Sequence, residues 1–210
     1  MTKNNKKGFT IIEVVLVLAI AGLIFLMVFI ALPALQRGQR NTRRRQDMAR
    51  ILSAVTEYQT NNNGKSPSTY AGWHSANKIS EDNVDPGFVK RFIDSTCDEG
   101  THDNSLAGNT SQSITYKYNC SGDQFKDPDG ANYSLTFGNA QPLLYLDNKG
   151  DGGAWMSTET MRRDHLVYLA TNSICSGNEA QPLVRSSGGA SDVAIVYALE
   201  GGAIYCGDNQ

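Results

Sequence analysis

Residues 8–40 read GFTIIEVVLVLAIAGLIFLMVFIALPALQRGQR, and the architecture of the chain can be worked out from this stretch. From Phe9 to Leu35 the chain is almost wholly apolar, and Glu13 is the only charged residue in those 27 positions. As an α-helix the run would be about 40 Å long, which is enough to cross a hydrocarbon core of about 30 Å. A carboxylate in such a helix costs about 2.5–3.5 kcal/mol at the membrane centre and less toward its ends. Glu13 therefore needs a partner or a function.

The apolar run favours a retained membrane anchor over a cleaved secretory signal. A secretory signal usually has an apolar region of only about 7–15 residues, followed by a small-x-small cleavage site. Here Pro33, Gln36 and Arg37 close the run without an obvious site of that kind. We therefore expect one membrane-spanning helix at residues 9–35.

Charge is segregated along the chain, whose formal net charge is −2 over 210 residues. Residues 51–210 hold 10 basic and 19 acidic residues, a net charge of −9, whereas residues 1–50 are basic. Proteins capture nucleic acid mainly by neutralising its phosphates. An acidic head does not suit that task, so direct binding of nucleic acid is not expected.

Four cysteines in the polar part of the chain indicate two disulfides. They are Cys97, Cys120, Cys175 and Cys206. An even number without a C-x-x-C pair favours disulfides over a zinc site. Of the three pairings that four cysteines allow, we favour the sequence-local one, Cys97–Cys120 with Cys175–Cys206; four reduced thiols are the alternative. Because disulfides persist outside the cytosol, we expect the head to be exported.

The charges flanking the apolar run disagree with the cysteines about its orientation. Three lysines precede the run and five arginines follow it within residues 37–45. Positive charge alone would place the far side in the cytoplasm. We give the cysteines more weight, because two disulfides require an oxidising compartment. The N-terminus is therefore expected in the cytoplasm and the head outside it.

A second helical pattern continues the first. In residues 45–60 the apolar positions follow the i, i+3, i+4, i+7 spacing of one buried stripe. These positions are Met48, Ile51, Leu52, Val55 and Tyr58. The run Asn61-Asn62-Asn63-Gly64 then ends the pattern. We predict one helix from Phe9 to about Asn61, in which residues 36–61 are amphipathic and lie against the head.

The remainder of the chain, residues 62–210, is predicted to be a globular head. A short helix is expected at Pro86–Thr96. β-branched and aromatic runs bounded by Gly, Asn and Asp predict six strands: Ser113–Asn119, Asn132–Phe137, Leu143–Leu146, Leu166–Ala170, Val193–Leu199 and Ala203–Cys206. Glu200-Gly201-Gly202 suits a hairpin between the last two. The predicted fold class is α+β: a long N-terminal helix, half transmembrane and half amphipathic, packed on an antiparallel β-sheet head.

Residues 7–14, KGFTIIEV, resemble the N-terminal signal of the type IV pilin family and of its type II secretion pseudopilin relatives. That signal has a short basic leader, Gly before the cut, Phe next, Glu at the fifth mature position and a long apolar helix. Each element is present here in register. The resemblance implies the pilin fold, with residues 1–8 as a leader. It also implies that a prepilin peptidase cuts between Gly8 and Phe9 and that the new amine of Phe9 is methylated.

The resemblance also offers an explanation of Glu13. Cleavage would create a positive amine at Phe9, four residues before Glu13 and one helical turn away. Pairing a buried carboxylate with a buried ammonium offsets part of the desolvation of both. In the family the partner amine belongs to the neighbouring subunit, so Glu13 is expected to set the register of assembly. One departure is that many relatives have a helix-bending Pro where this chain has Ile30, and here Pro33 comes later.

The function that the resemblance implies is structural and not enzymatic. The chain would be a subunit of a type IV pilus-like filament, assembled through its N-terminal helix for adhesion, motility or DNA uptake. A pseudopilin of a type II secretion system is the alternative, and an uncleaved, bitopic membrane-anchored binding protein is the second alternative. Implied partners are copies of itself, other pilins, the prepilin peptidase, inner-membrane assembly machinery and, before assembly, membrane lipid. The implied location is the membrane and then an extracellular filament, and no cofactor is expected.

Residues 37–50 carry six arginines for which the sequence leaves several roles open. A solvated face flanking the membrane helix is the first interpretation, and charge complementarity between subunits is the second. Binding of anionic headgroups, worth about 1 kcal/mol per basic residue near a surface, is also open. DNA binding is disfavoured because no aromatic residues are interleaved for base stacking.

A calcium loop is only weakly indicated. Residues 147–152, DNKGDG, resemble part of such a loop, with Asp147 and Asp151 as candidate ligands. Lys149 stands where a ligand is expected, and no Glu follows at the twelfth position. A turn is the better interpretation, and residues 126–130, KDPDG, likewise suit a turn.

Other short motifs support no chemistry. The sequons at Asn109, Asn119 and Asn132 are patterns with a high rate of chance matches. The three histidines have no metal-ligand spacing, and no G-x-S-x-G motif occurs. We therefore predict no enzyme and no metal.

Overall fold

The computed structural model describes residues 8–67, 85, 87–102, 113–139, 158–176, 183–185, 189 and 191–210. The chain divides into two compact units, residues 1–40 and residues 41–210. The first unit holds the apolar part of the N-terminal helix. The second unit holds the rest of that helix together with the head.

Helix α1 runs from Ile11 to Asn61 and includes Pro33. At its C-terminal end the N–H of Gly64 donates to the carbonyl oxygen of Gln59 at 2.8 Å. Asn63 and Gly64 have φ angles of 55° and 77°, in the left-handed region that Gly and Asn adopt most readily. This is a Schellman cap with Asn at the C′ position. The predicted long helix, ending in the Asn-Gly run, is confirmed.

The described part of the head contains two sheets, a short α-helix and a π-helical stretch that is described below. In chain order the elements are β1 (Thr101–His102), β2 (Ser113–Lys117), β3 (Ser134–Asn139), α2 (Thr158–Arg163), β4 (Leu166–Thr171), β5 (Ile174–Ser176), β6 (Leu183–Arg185), β7 (Val193–Ala198) and β8 (Ile204–Asp208). Six strands lie side by side in the order β1-β2-β3-β4-β7-β8, and β5 pairs with β6 separately. Five of the predicted strands are present with ends within two residues of those predicted.

The α+β class is confirmed, but the sheet is mixed and not wholly antiparallel. Strands β3 and β4 are parallel, with Ser134 opposite Leu166, while the other neighbouring pairs are antiparallel. Parallel neighbours require a long crossover, and helix α2 lies in the connection between β3 and β4. The predicted strand Leu143–Leu146 lies outside the described residues.

The two faces of the sheet are buried by different helices. Residues 41–61 of α1 cover one face, and the predicted stripe of α1 is part of that core. The buried residues of this core include Met48, Ile51, Val55, Tyr133, Leu135, Phe137, Leu169, Ile195 and Tyr197. On the other face Met161 of α2 packs with alternate residues of β4 and β7, among them Leu166, Ala170, Ala194 and Val196. Strands β4 and β7 are therefore buried on both faces, which explains their continuous apolar sequences.

Two disulfides close loops within the head. Cys97 is joined to Cys120, and Cys175 on β5 is joined to Cys206 on β8. The linked residues are 23 and 31 positions apart. In the chain-entropy model, loops of this length each stabilise the folded state by about 3–4 kcal/mol.

The short helix predicted at Pro86–Thr96 is smaller than expected. It is a single π-helical stretch, Val89–Ile93. It ends where the Asp94 N–H donates to the Val89 carbonyl oxygen at 2.8 Å. The Asp94 side chain accepts from the N–H and the hydroxyl of Thr96 at 2.9 and 2.7 Å. This local competition from an Asp side chain stops the helix.

Candidate functional site

The first turn of α1 lies directly after the predicted processing site and contains Glu13. The helix begins at Ile11, so Thr10 is its N-cap and Glu13 its third residue. Glu13 Oε2 accepts from the Thr10 N–H at 2.8 Å and from the Thr10 hydroxyl at 2.9 Å. The Glu13 N–H lies 3.4 Å from Thr10 Oγ1. This is a capping box, which satisfies backbone donors at the helix start reciprocally.

Gly8 and Phe9 lie just before this turn, outside the helix. Phe9 is 89% exposed. Within the described part of the chain, nothing lies within 4 Å of a Cβ built on Gly8. Gly8 and Phe9 are therefore both exposed within the described part of the chain.

The first unit presents apolar side chains on all sides of its helix. The large apolar residues between Phe9 and Leu35 are 47–89% exposed within the chain. By length and composition α1 can cross a membrane. A helix that is apolar all round has to be surrounded by lipid or by other helices. This segment fits a membrane anchor.

The second unit contains a buried ion-pair cluster around Arg44, whose side chain is 5% exposed. Arg44 Nε donates to Asp127 Oδ2 at 2.7 Å, and Nη2 donates to Asp127 Oδ1 at 2.6 Å. Arg44 Nη1 donates to Glu200 Oε1 at 2.7 Å. Two parallel bonds from a guanidinium to one carboxylate form the strongest geometry for such a pair. The cluster joins α1, the turn at residues 126–130 and the hairpin between β7 and β8.

Further polar contacts fasten the same part of α1 to the head. Asn41 Nδ2 donates to the Glu200 carbonyl oxygen at 3.1 Å, and the Glu200 N–H donates to Asn41 Oδ1 at 3.0 Å. Arg50 donates to the carbonyl oxygen and the side-chain oxygen of Gln124, both at 2.8 Å, and to the carbonyl oxygen of Ile93. The interpretation of the arginine cluster as a solvated or intersubunit face is therefore wrong for Arg44 and Arg50, which bind within their own chain.

Asp127 is the carboxylate on which the cluster centres. Burial would raise the pKa of Asp127, but His165, Arg44 and Tyr197 outweigh burial and hold that pKa well below its usual range. The Tyr197 hydroxyl donates to Asp127 Oδ2 at 2.7 Å. Burial and this carboxylate raise the pKa of Tyr197, so the phenol stays protonated as a donor.

His165 lies beside the same carboxylate, in the turn between α2 and β4. Its Nδ1 is 3.6 Å from Asp129 Oδ2 and 3.9 Å from Asp127 Oδ2. The carboxylates of Asp127 and Asp129 raise the pKa of His165, and partial burial opposes them only in part. His165 has a φ angle of 49°, a left-handed conformation in which His, Asn and Asp are enriched.

A second carboxylate, that of the half-buried Asp47, lies on α1 about one turn after Arg44. Asp47 Oδ2 accepts from the Tyr133 hydroxyl at 2.9 Å. Burial raises the pKa of Asp47, and the hydrogen bond from Tyr133 opposes that rise. The rings of Tyr133 and Tyr197 meet edge to face with centroids 5.6 Å apart. Each of these two tyrosines thus connects the aromatic core to a different carboxylate.

Among the described residues, two groups of side chains have the composition of a metal-ligand set. Ligand atoms of Asp127, Asp129 and His165 lie within 4.8 Å of one another, as do those of a second group, Asp94 with Cys97 and Cys120. The second group cannot offer thiolates because its cysteines form a disulfide. In the first group both oxygens of Asp127 already bind Arg44, so a cation would compete with the guanidinium. We assign no metal to either group.

The predicted site residues are spread over separate places. The capping box contains Glu13 and follows directly on Gly8 and Phe9. The cysteines lie in the head as two disulfides. The weak calcium candidates Asp147 and Asp151 lie outside the described residues.

Sequence reasoning missed Arg44, Asp127 and Glu200. One signal for Arg44 was present, because it precedes Met48 by four positions and Ile51 by seven. It therefore continues the apolar stripe of α1, and a charged residue at such a position indicates a buried pair. Asp127 and Glu200 carry no comparable signal, because their turns contain acidic residues of the kind common in exposed turns.

Comparison with known proteins finds a family motif in the N-terminal segment. Residues 3–29 match the family model described as the prokaryotic N-terminal methylation motif. The chain therefore carries the class III signal of type IV pilins and pseudopilins, which are structural and non-enzymatic proteins. Such a signal implies processing by a prepilin peptidase and assembly with other pilins. No curated protein and no solved structure matches the chain.

We expect Asp127→Ala to destabilise the head by about 3–5 kcal/mol, because it leaves the Arg44 guanidinium buried without its main partner. Guanidinium unfolding of the full chain in detergent, followed by near-ultraviolet circular dichroism, measures the loss. The matched control is Asp123→Ala, since the Asp123 side chain is 92% exposed. That control should cost less than about 1 kcal/mol. Equal losses in the two variants would contradict the conclusion that the buried pair of Arg44 and Asp127 stabilises the head.

We expect the head to lose stability as the pH rises through neutrality, because of His165. Its folded-state pKa is raised, so its contribution is complete below the unfolded pKa of about 6.5 and is lost as the pH rises through the folded pKa. His165→Asn keeps a residue that tolerates the left-handed backbone. The measurement is the Tm of both proteins from about pH 5.5 to about pH 8.5.

The difference between the two Tm curves isolates His165 from the other titrating groups. The wild-type advantage should be largest at the acid end of the range and should shrink at the alkaline end. Parallel curves would show that folding does not raise the pKa of His165. Asp127 acts in the opposite sense, since its lowered pKa makes its contribution complete above about pH 4 and lost below that.

Proposed function

We propose that the chain is a prepilin, the precursor of a structural subunit of a type IV pilus-like filament. It is cleaved after Gly8, N-methylated at Phe9 and assembled through its N-terminal helix, and the filament serves adhesion, motility or DNA uptake. The observation that carries the proposal is the methylation motif at residues 3–29, in register with a helix whose apolar side chains are exposed on all sides. Such a surface first requires lipid and then the helices of other subunits.

The proposal divides the chain into four parts. Residues 1–8 are the leader, residues 9–35 the transmembrane and filament-core helix, residues 36–61 its amphipathic continuation, and residues 62–210 the head. The contacts of Asn41 and Arg44 with the hairpin before β8 support the third part as the place where the helix joins the head.

We expect the protein recovered unreduced from its own cells to begin at methylated Phe9 with all four cysteines oxidised. Intact mass and N-terminal sequencing measure both features. Gly8→Leu should leave the chain at its full length, because the side chain prevents close approach of the peptidase to the backbone. The matched control Gly38→Leu lies outside the motif and should be cut normally.

A wild-type mature fraction that still begins at Met1 would contradict the proposal. An uncleaved, membrane-anchored binding protein would then become the better account. Once cleavage is established, electron microscopy of cells at native expression separates the two filament classes. Long surface filaments that contain the chain support a pilin, whereas their absence together with loss of protein secretion on deletion supports a pseudopilin.

We expect Glu13→Gln to be cleaved but excluded from filaments. A glutamine can preserve the capping box with Thr10, but it cannot form the charge pair with the amine of a neighbouring Phe9. Cleavage is followed by mass, and incorporation by the amount of the chain in sheared filaments. Thr10→Val is the matched control, because it removes the capping hydroxyl but keeps the carboxylate, and it should assemble. Normal assembly of Glu13→Gln would show that Glu13 acts as a helix cap alone.

A further inference from the structure

We propose that Asn63 is a site of spontaneous deamidation, and that the cap at the end of α1 controls how fast the reaction runs. Asn63-Gly64 is the only Asn-Gly pair in the chain. Both residues are exposed and lie directly after the end of α1. The proposal does not depend on the proposed function, since no residue of the N-terminal signal takes part in it.

Deamidation is a reaction of an asparagine with its own backbone and with water. The backbone nitrogen of the next residue loses its proton and attacks the side-chain carbonyl carbon. The bond from that carbon to the amide nitrogen then breaks, and ammonia leaves. Water opens the resulting succinimide ring at either carbonyl, which gives aspartate or isoaspartate. The attack is fastest when the next residue is glycine, because glycine has no side chain to hinder the approach and adopts a wide range of backbone conformations.

The three consecutive asparagines at the end of α1 differ in how their side chains are held. Asn61 Nδ2 donates to the carbonyl oxygen of Glu57 at 2.9 Å, and Asn62 Nδ2 donates to that of Tyr58 at 2.8 Å. The Asn63 side chain makes no hydrogen bond with any residue that the structure describes. The first two asparagines are also followed by another asparagine, whose side chain hinders the attack. Of the three, Asn63 is therefore the one placed to react.

The cap of α1 opposes the reaction in the folded chain. The Gly64 nitrogen that must attack is itself a hydrogen-bond donor, and it lies 2.8 Å from the carbonyl oxygen of Gln59. Its proton cannot leave while the N–H donates to that carbonyl. The reaction therefore requires this bond to break, as happens when the end of a helix frays.

Contacts from the C-terminal segment limit that opening. Gln59 is only 7% exposed. Its Nε2 donates to the carbonyl oxygen of Ser191 at 2.6 Å, and its Oε1 accepts from Asn209 Nδ2 at 3.1 Å. Asn209 Oδ1 in turn accepts from the N–H of Val193, the first residue of β7, at 2.8 Å. The last turn of α1 is thereby fastened to the sheet, so the rate of deamidation depends on how often these contacts open.

Deamidation at Asn63 in turn weakens the cap. Both products place a carboxylate just beyond the C-terminal end of α1, where the helix dipole disfavours negative charge. Isoaspartate also adds a methylene group to the main chain between α1 and Gly64, so the bond from the Gly64 N–H to Gln59 cannot re-form with the same geometry. Hydrolysis does not restore the amide, so modified chains accumulate with the age of the protein.

The test follows the three asparagines in the full chain, held folded in detergent at a fixed, mildly alkaline pH. Trypsin releases residues 51–65, which contain all three, and electron-transfer fragmentation distinguishes aspartate from isoaspartate at each position. A sample unfolded in guanidinium gives the rate in the absence of a cap. In the folded chain we expect both products at Asn63 and neither at Asn61 or Asn62. The reaction at Asn63 should be slower in the folded chain than in the unfolded one.

A pair of variants tests the control by the cap. Asn209→Ala removes the hydrogen bond to Gln59 Oε1 and should speed the reaction in the folded chain by about fivefold, the effect of losing one hydrogen bond. The matched control is Gln210→Ala, whose side chain binds Asp192 and not Gln59, and it should keep the wild-type rate. Near-ultraviolet circular dichroism shows that both variants are folded.

Four outcomes would overturn the proposal, and the first three need only the wild-type chain. Asn63 could stay intact in the folded chain while the unfolded chain is converted. One of the two preceding asparagines could react as fast as Asn63 in the folded chain. Asn63 could react equally fast in the folded and unfolded chains, or a folded Asn209→Ala could react no faster than Gln210→Ala.

Discussion

The packing of the head against α1 depends on one buried guanidinium group, that of Arg44. A buried cation is tolerated only where carboxylates surround it with well-formed hydrogen bonds, and Arg44 finds them in two separate loops. The turn that supplies Asp127 and the hairpin that supplies Glu200 must therefore both reach α1. Since the hairpin joins β7 to β8, this requirement also positions that end of the sheet under the helix. The hydroxyl of Tyr197, on β7, donates a further hydrogen bond to Asp127.

Long periodic patterns were predictable from the sequence, and contacts between distant loops were not. The stripe from Met48 to Tyr58 predicted the amphipathic half of α1, because it repeats over several turns. The Asn-Gly run predicted the helix end, because few other residues adopt the left-handed backbone. The parallel pairing of β3 with β4 escaped prediction, since it depends on a crossover whose path local sequence does not determine. The partners of Arg44 escaped for the same reason, as Asp127 is 83 residues away.

The geometry at Glu13 shows why a carboxylate suits this position better than an amide. Both hydrogen bonds from Thr10 end on Oε2, which leaves Oε1 for a second donor. One carboxylate can therefore cap its own helix and, in the proposed processed subunit, accept from an amine at the same time. Glutamine has a single oxygen, so it could serve only one of these partners well, and it would bring no charge to offset the desolvation of an ammonium.

The two ends of the sheet differ because different elements cover them. Under α2 the strands β4 and β7 are buried on both faces and are almost continuously apolar. At the end where β2 meets β3, α1 covers one face, and the other face carries alternating polar residues. Strand β3 and the two residues before it consequently serve both faces: the Tyr133 hydroxyl donates to Asp47 of α1 on one side, while Asn132 and Ser134 lie on the side away from α1.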